Sequence, residues 1–134
     1  MKDKTRVIMV KLGLGGHWRG ITTVSLILKN AGMEVIFAGF QTIESAISIA
    51  EQEDVDVIGL SIHSGAHIPW TRKFVEALNE RKLKDEFVLV VGGVIPDADV
   101  DALREIGADG IYGPGSTAEE IVRSIQEKVK EKRA

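Results

Sequence analysis

Apolar positions along the chain switch repeatedly between a continuous run and a helical spacing. Val7-Ile8-Met9-Val10 is a short unbroken apolar run and predicts a buried strand over about Thr5–Lys11. Beyond a glycine-rich stretch, Ile21, Val24, Leu28 and Ala31 recur as one helix face. They predict a helix from near Gly20 to Ala31, closed by Gly32, a C′ residue that tolerates positive φ. The pair then repeats. A strand over Glu34–Ala38 precedes a helix that begins near Thr42, with Ile43, Ala46, Ile47 and Ala50 as its buried stripe. Val55–Ser61 is nearly all apolar after Asp56, as a strand covered on both faces should be. The next helix spans roughly Ile68–Arg81, with Trp70, Phe74, Ala77 and Leu78 on one side. A strand over Phe87–Val91 runs into Gly92-Gly93. Asp97 is the candidate N-cap of a fourth helix that Gly107 ends. A short strand, Gly110–Tyr112, is followed by Ser116 and Glu119, which fit a capping box for a last helix striped by Ile121, Val122, Ile125 and Val129.

Five strand–helix units without a linker or low-complexity segment imply one α/β domain over residues 1–134. Right-handed crossovers make the sheet parallel, with helices on both faces. The natural arrangement is flavodoxin-like, a five-stranded sheet in the order 2-1-3-4-5. That order sets the first, third and fourth strands side by side. Their carboxyl ends carry Gly13–Gly20, Ser61–Gly65 and Gly92-Gly93, so three unusual loops converge on the switch point where such sheets bind ligands.

Composition narrows the ligand by exclusion. The 134 residues are 44% hydrophobic and 28% charged, an ordinary globular mixture. A net charge of −3 shows no electrostatic footprint for nucleic acid. The basic segment Lys128–Arg133 reads as a solvated helix end, where cations suit the helix dipole. The absence of cysteine removes disulfides and thiolate metal sites. No apolar stretch has the length of a membrane span, and Met1–Lys4 leads straight into a strand rather than a signal peptide, so a cytoplasmic protein is expected.

The loops themselves exclude several familiar ligands. Gly13-x-Gly15 begins a dinucleotide fingerprint, but Trp18 stands at the third glycine position, and Ala38-Gly39 offers no carboxylate for a ribose. Gly13–Gly20 has no hydroxyl for the phosphate of a flavin mononucleotide, and Lys11-Leu12-Gly13 no carboxylates to hold magnesium as in a response regulator. No Gly-Lys-Ser/Thr marks a P-loop. What remains is one histidine on a long glycine-rich loop.

Gly15-x-His17-x-x-Gly20, Ser61-x-His63 and Gly92-Gly93, taken together, resemble the three signatures of the cobalamin-binding domain of adenosylcobalamin-dependent mutases. Lys11–Leu14, Glu53–Val57, Ser64–His67, Gly92–Asp97 and Tyr112–Gly115 are similar to the methylmalonyl-CoA mutase branch, and the resemblance covers nearly the whole chain. It implies that His17 replaces the cofactor's dimethylbenzimidazole as the axial ligand of cobalt, a role imidazole suits. It also implies that Gly15, Gly16, Trp18, Arg19, Gly20, Ser61, His63, Ser64, Gly65, Gly92, Gly93, Tyr112 and Gly113 contact the cofactor. The displaced nucleotide tail needs a slot lined by small residues. Gly92 and Gly93 would let it pass against backbone, and Ser61 would offer a hydroxyl to its buried base nitrogen.

Two positions depart from the family pattern. Gly15 stands where the family has the aspartate that orients the ligating imidazole, and His63 where it has leucine. Glycine cannot accept the imidazole's second hydrogen bond. His63 either bonds the nucleotide loop or points away from it. Each motif also has a plainer reading. His17 alone is an ordinary loop histidine, Gly92-Gly93 a tight strand exit, Ser61 a strand-end cap, and His67 an anchor for the loop before the third helix. Trp18 either faces solvent or is buried under the corrin or a partner.

The resemblance implies the small subunit of an acyl-CoA mutase, of the methylmalonyl-CoA or 2-hydroxyisobutyryl-CoA type. The cofactor's cobalt–carbon bond would break homolytically and the adenosyl radical would drive a carbon-skeleton rearrangement. No catalytic residue is expected in this chain alone. A (β/α)8 barrel takes about 250 residues, so the acyl-CoA site would lie on a large catalytic partner in a heteromer. The alternative is a free-standing cobalamin carrier or sensor. Such corrinoid proteins usually carry a preceding helical domain, for which Met1–Lys4 is expected to leave no room. A third reading, a structural subunit that has lost cobalamin, rests on Gly15 only.

Overall fold

The computed structural model describes residues 4–13, 19–62, 66–113 and 115–133. Its strands are β1 (Arg6–Leu12), β2 (Glu34–Phe40), β3 (Val57–Ile62), β4 (Val88–Gly92) and β5 (Gly110–Tyr112). The helices are α1 (Arg19–Asn30), α2 (Ile43–Gln52), α3 (His67–Glu80), α4 (Asp97–Ile106) and α5 (Ala118–Arg133), with a 3-10 turn at Lys84–Glu86. All strand pairs are parallel, in the order β2-β1-β3-β4-β5. Among the described residues no helix is long and apolar enough to cross a membrane.

Helix ends follow local chemistry. Thr42 caps α2 by accepting a hydrogen bond from the Ser45 N–H at 3.1 Å. Gly32 and Gly107, with φ of 92° and 134°, close α1 and α4 as expected. Two caps differ from the sequence reading. At α4 the flanking residue is Pro96, whose ψ of 140° is still extended, so Asp97 is the first helical residue instead of the cap. Its carboxylate remains in the first turn, where the dipole favours it. At α5 it is Thr117, not Ser116, that accepts the Glu120 N–H at 3.1 Å. Ser116 is still held in the preceding turn, where its N–H donates to Gly113 O at 3.1 Å.

The strands divide their side chains between two cores. Ile8, Val10, Leu12, Ile58, Leu60, Ile62, Leu89 and Val91 face α2, α3 and α4. Val7, Met9, Val57, Val88 and Val90 face α1 and α5 through Ile21, Leu28, Ile121, Ile125 and Val129. At the amino edge, aspartates bind the backbone of the adjacent strand. Asp56 accepts from Arg6 N at 2.9 Å and Asp109 from Leu89 N at 2.8 Å, which pins the starts of β1 and β4. Arg133, at the end of α5, pairs with Asp56 at 2.9 Å and ties that helix to the same edge.

Candidate functional site

The opposite, carboxyl edge of the sheet brings together the described residues of the predicted motifs. In the ladder, Lys11 pairs with Ser61, Ser61 with Gly92, and Gly92 with Tyr112. Paired residues of a parallel sheet point to one face. Ser61 and Gly92, far apart in sequence, are therefore adjacent members of a single row. Ser61 lies within β3, so it is not a cap beyond the strand end.

The row faces α1 and α5, and this side differs from the other in side-chain size. On the α2–α4 side every central strand residue is a large aliphatic. On the α1/α5 side stand Gly59, Ser61, Gly92 and Gly110, all small. Two of the resulting spaces are filled. A Cβ on Gly59 would lie 2.6 Å from Met9 Sδ, and one on Gly110 would lie 2.7 Å from the Tyr112 hydroxyl. At Gly92 the nearest atom among the described residues is Tyr112 O at 3.6 Å, so these residues leave space above it.

Gly93 does a different job. Its φ is +140°, and a Cβ there would come within 2.6 Å of Ile62 O and 2.8 Å of His67 Nε2. His67, the first residue of α3, is buried against this glycine, consistent with its reading as an anchor. Gly13 turns the chain out of β1 at φ +79°, with Trp70 of α3 packed where a side chain would be. Arg19 and Gly20 open α1, and among the described residues no atom is recorded within 4 Å of a Cβ built on Gly20. Gly113 follows β5, with Gly93 O 3.8 Å from its Cβ position. Gly15, Gly16, His17, Trp18, His63, Ser64 and Gly65 lie outside the described residues.

Besides Ser61, two side chains of the row carry polar groups into the layer. Tyr112 hydrogen-bonds through its hydroxyl to Ser124 Oγ on α5 at 2.9 Å. Burial raises its phenol above the ordinary 10.0, while the Ser124 hydrogen bond and the Arg104 charge pull less strongly the other way. A raised folded-state value means that the unfolded tyrosine loses its proton first. Its contribution to stability is whole below the unfolded value and is lost as pH rises through the folded one. We therefore expect denaturant midpoints to fall more steeply above about pH 10 for the unaltered chain than for Tyr112→Phe; parallel pH profiles would refute this.

Lys11 was missed from sequence. It is 1% exposed, and its ammonium lies 5.6 Å from the centroid of the Phe40 ring on the edge strand. The available signal was a lysine in phase with Val7 and Met9 at the end of an apolar run. Two open depressions, of about 280 and 250 Å³, lie at the far, amino edge instead. Val88, Asp109 and Lys132 line the first, and Asp56 and Arg133 help to line the second. Asp56, Asp109 and Arg133 there are engaged in the strand and helix ties described above, so the convergent loops and not these depressions mark the site.

Known proteins resemble the chain in sequence and in fold. The chain is 43% identical over 121 residues to the pivalyl-CoA mutase small subunit of Xanthobacter autotrophicus, covering 90% of this chain and 80% of that protein. It is 38% identical over 125 residues to the 2-hydroxyisobutanoyl-CoA mutase small subunit of Aquincola tertiaricarbonis, covering 92% and 91%. A solved structure of a cobalamin-binding protein from Desulfitobacterium hafniense superposes with a TM-score of 0.78 at 19% identity, over 92% of this chain and 58% of that one, and supports the fold. The family model described as the B12 binding domain matches residues 5–123. Three loops at the carboxyl edge, a row of small residues beneath them and this match lead to one conclusion: the chain belongs to the B12-binding domain family.

Proposed function

We infer that this chain is the cobalamin-binding small subunit of an acyl-CoA mutase, an isomerase whose substrate is held by another chain. The observation that carries the reading is the Lys11–Ser61–Gly92–Tyr112 row, with its open space above Gly92, under the ends of β1, β3 and β4. The small-subunit relatives, matched over most of their length, support it.

The residues present fit the cofactor. His17, next to the start of α1, is the proposed axial ligand of cobalt, and Gly15, Gly16, Trp18, Arg19 and Gly20 flank it against the corrin. The α1/α5 face of the sheet, with its small residues, would hold the nucleotide tail. Ser61 would offer it a hydrogen bond, Gly92 would leave it room, and Tyr112 would stand beside it. Gly93 and Gly113 would let backbone approach it closely, and His63, Ser64 and Gly65 are proposed as further contacts. The adenosyl form is the proposed cofactor, and when bound it supplies the radical chemistry of a carbon-skeleton rearrangement. The chain's own part is to bind the cofactor, fix its orientation and present one face to the partner. That partner is proposed to be a (β/α)8-barrel mutase subunit in a cytoplasmic heteromer, and the isolated chain is proposed to be inactive.

Titration with adenosylcobalamin and hydroxocobalamin, followed by visible absorbance, tests this reading. Binding should give the spectrum of a cofactor whose own base has left cobalt. In the cobalt(II) form, nitrogen-15 histidine in the protein should alter the nitrogen hyperfine pattern, and His17→Ala should abolish that change. A pattern indifferent to the isotope would rule out histidine ligation.

A further inference from the structure

The space that the described residues leave above Gly92 has a floor, and its chemistry differs from that of the row above. Two residues before Ser61 on β3 stands Gly59, whose ladder partners are Met9 on β1 and Val90 on β4. Val90 pairs in turn with Gly110 on β5. These four lie on the α1/α5 side, about 6.6 Å deeper than Lys11, Ser61, Gly92 and Tyr112. Neither glycine is left bare. The Cβ position of Gly59 is 2.6 Å from Met9 Sδ, 3.2 Å from Met9 Cε and 3.5 Å from Val90 Cγ2. That of Gly110 is 2.7 Å from the Tyr112 hydroxyl and 3.1 Å from Val90 Cγ1. The floor is therefore continuous, made of a thioether, two valine methyls and the end of a phenol.

Its parts differ in freedom and in polarity. Val90 is short and stiff at χ1. Tyr112 is held by its hydrogen bond to Ser124. Met9 is unbranched and flexible, a side chain that adjusts to whatever lies against it. Met9 and Val90 are both buried. Directly below Ser61 the floor is thus a thioether and a methyl, with no donor and only a weakly accepting sulfur. The Lys11 ammonium, from the row above Met9, lies 5.6 Å from the centre of the Phe40 ring on β2, the strand on the far side of β1 from β3. A base bonded through one nitrogen to Ser61 would meet this floor with the edge beyond that nitrogen. An apolar ring edge is favoured there by burial alone. An amino group on that edge would be buried without a partner.

We propose that Met9 is a specificity residue for the lower base of the corrinoid. Seated on Gly59, its thioether selects bases that end in an apolar ring, the benzimidazole class, over purine bases with a polar edge. This rests on the cobalamin reading above and adds to it the class of base, through a residue outside the three motifs. Met9 acts on binding; it is not a catalytic residue.

Affinities for three corrinoids test the proposal: cobalamin, its analogue with adenine as lower base, and cobinamide, which has no base and is the reference for binding of the ring. The unaltered chain should bind cobalamin at least about tenfold more tightly than the adenine corrinoid, the loss expected for a buried amino group without a partner. Met9→Gln keeps the length of the side chain and supplies an amide, so it should remove most of that preference. Gly59→Ala tests the same contact with no polar group added to the core. Among the described residues the only atoms within 3.4 Å of the new Cβ are the flexible end of Met9. The thioether should be pushed off the strand into the space below Ser61, and cobalamin should weaken about tenfold relative to cobinamide. A methionine with a merely structural role would change all three affinities together. Equal affinities of the unaltered chain for cobalamin and the adenine corrinoid, a preference that folded Met9→Gln leaves intact, or an unchanged cobalamin-to-cobinamide ratio in Gly59→Ala would each overturn the proposal. If the unaltered chain bound none of the three, the cobalamin reading itself would fall.

Discussion

Gly93→Ala should lower the unfolding midpoint by about 10 °C, the shift that about 3 kcal/mol produces in a domain of this size. The destabilisation has two parts. At φ +140° an alanine is strained wherever its side chain goes, at a cost of about 1–3 kcal/mol. The Cβ would also sit 2.6 Å from the Ile62 carbonyl and 2.8 Å from His67 Nε2. The carbonyl belongs to a paired central strand and the imidazole is buried, so neither can retreat cheaply. Overpacking of that kind adds about 1–3 kcal/mol. Thermal unfolding of the two proteins without ligand decides the matter, and a midpoint within about 2 °C of the unaltered chain, less than 1 kcal/mol, would contradict it.

Gly92→Val should leave the fold nearly intact and reduce cobalamin affinity about 100-fold, or ~2.7 kcal/mol. No positive φ is required here, and the nearest atom to a Cβ among the described residues is 3.6 Å away, so the first carbon fits. The two methyls beyond it enter the open space on the α1/α5 face, between Ser61 and Tyr112. If that space takes the nucleotide tail, binding is lost for a steric reason. Cobinamide has no tail and should bind as before. Equal affinities for cobalamin in the two proteins would mean that the tail lies elsewhere. Adjacent glycines thus receive opposite expectations, one for stability and one for binding.

Much of the fold was legible because its causes are local. Five alternations of strand and helix period specify five strand–helix units, and right-handed crossovers order them. Gly32 and Gly107 ended their helices as read, since positive φ is a property of the residue itself. The errors lie where neighbouring residues compete for one role. Thr117 took the cap from Ser116, and the extended Pro96 displaced Asp97. The second strand runs on to Phe40 instead of stopping at Ala38, with Gly39 in positive φ beside a register shift in its pairing with β1.

The motifs of the site were readable for the same reason. Gly15-x-His17-x-x-Gly20, Ser61-x-His63 and Gly92-Gly93 are short patterns whose residue types carry their own chemistry, and strand order alone brings the three loops to one edge. Sequence by itself therefore determined the units, the edge at which they converge and the family they resemble. The tertiary structure decided which helices cover the face that carries the small residues. A period of two says that Val57, Gly59 and Ser61 share a face, but not which helices cover it. It also decided that the described residues leave space at Gly92 while Gly93 is tightly packed, and that Lys11 is buried in the row of Ser61. These are properties of atoms distant in sequence, set by how α1 and α5 seat on the strands, and no local pattern encodes that contact.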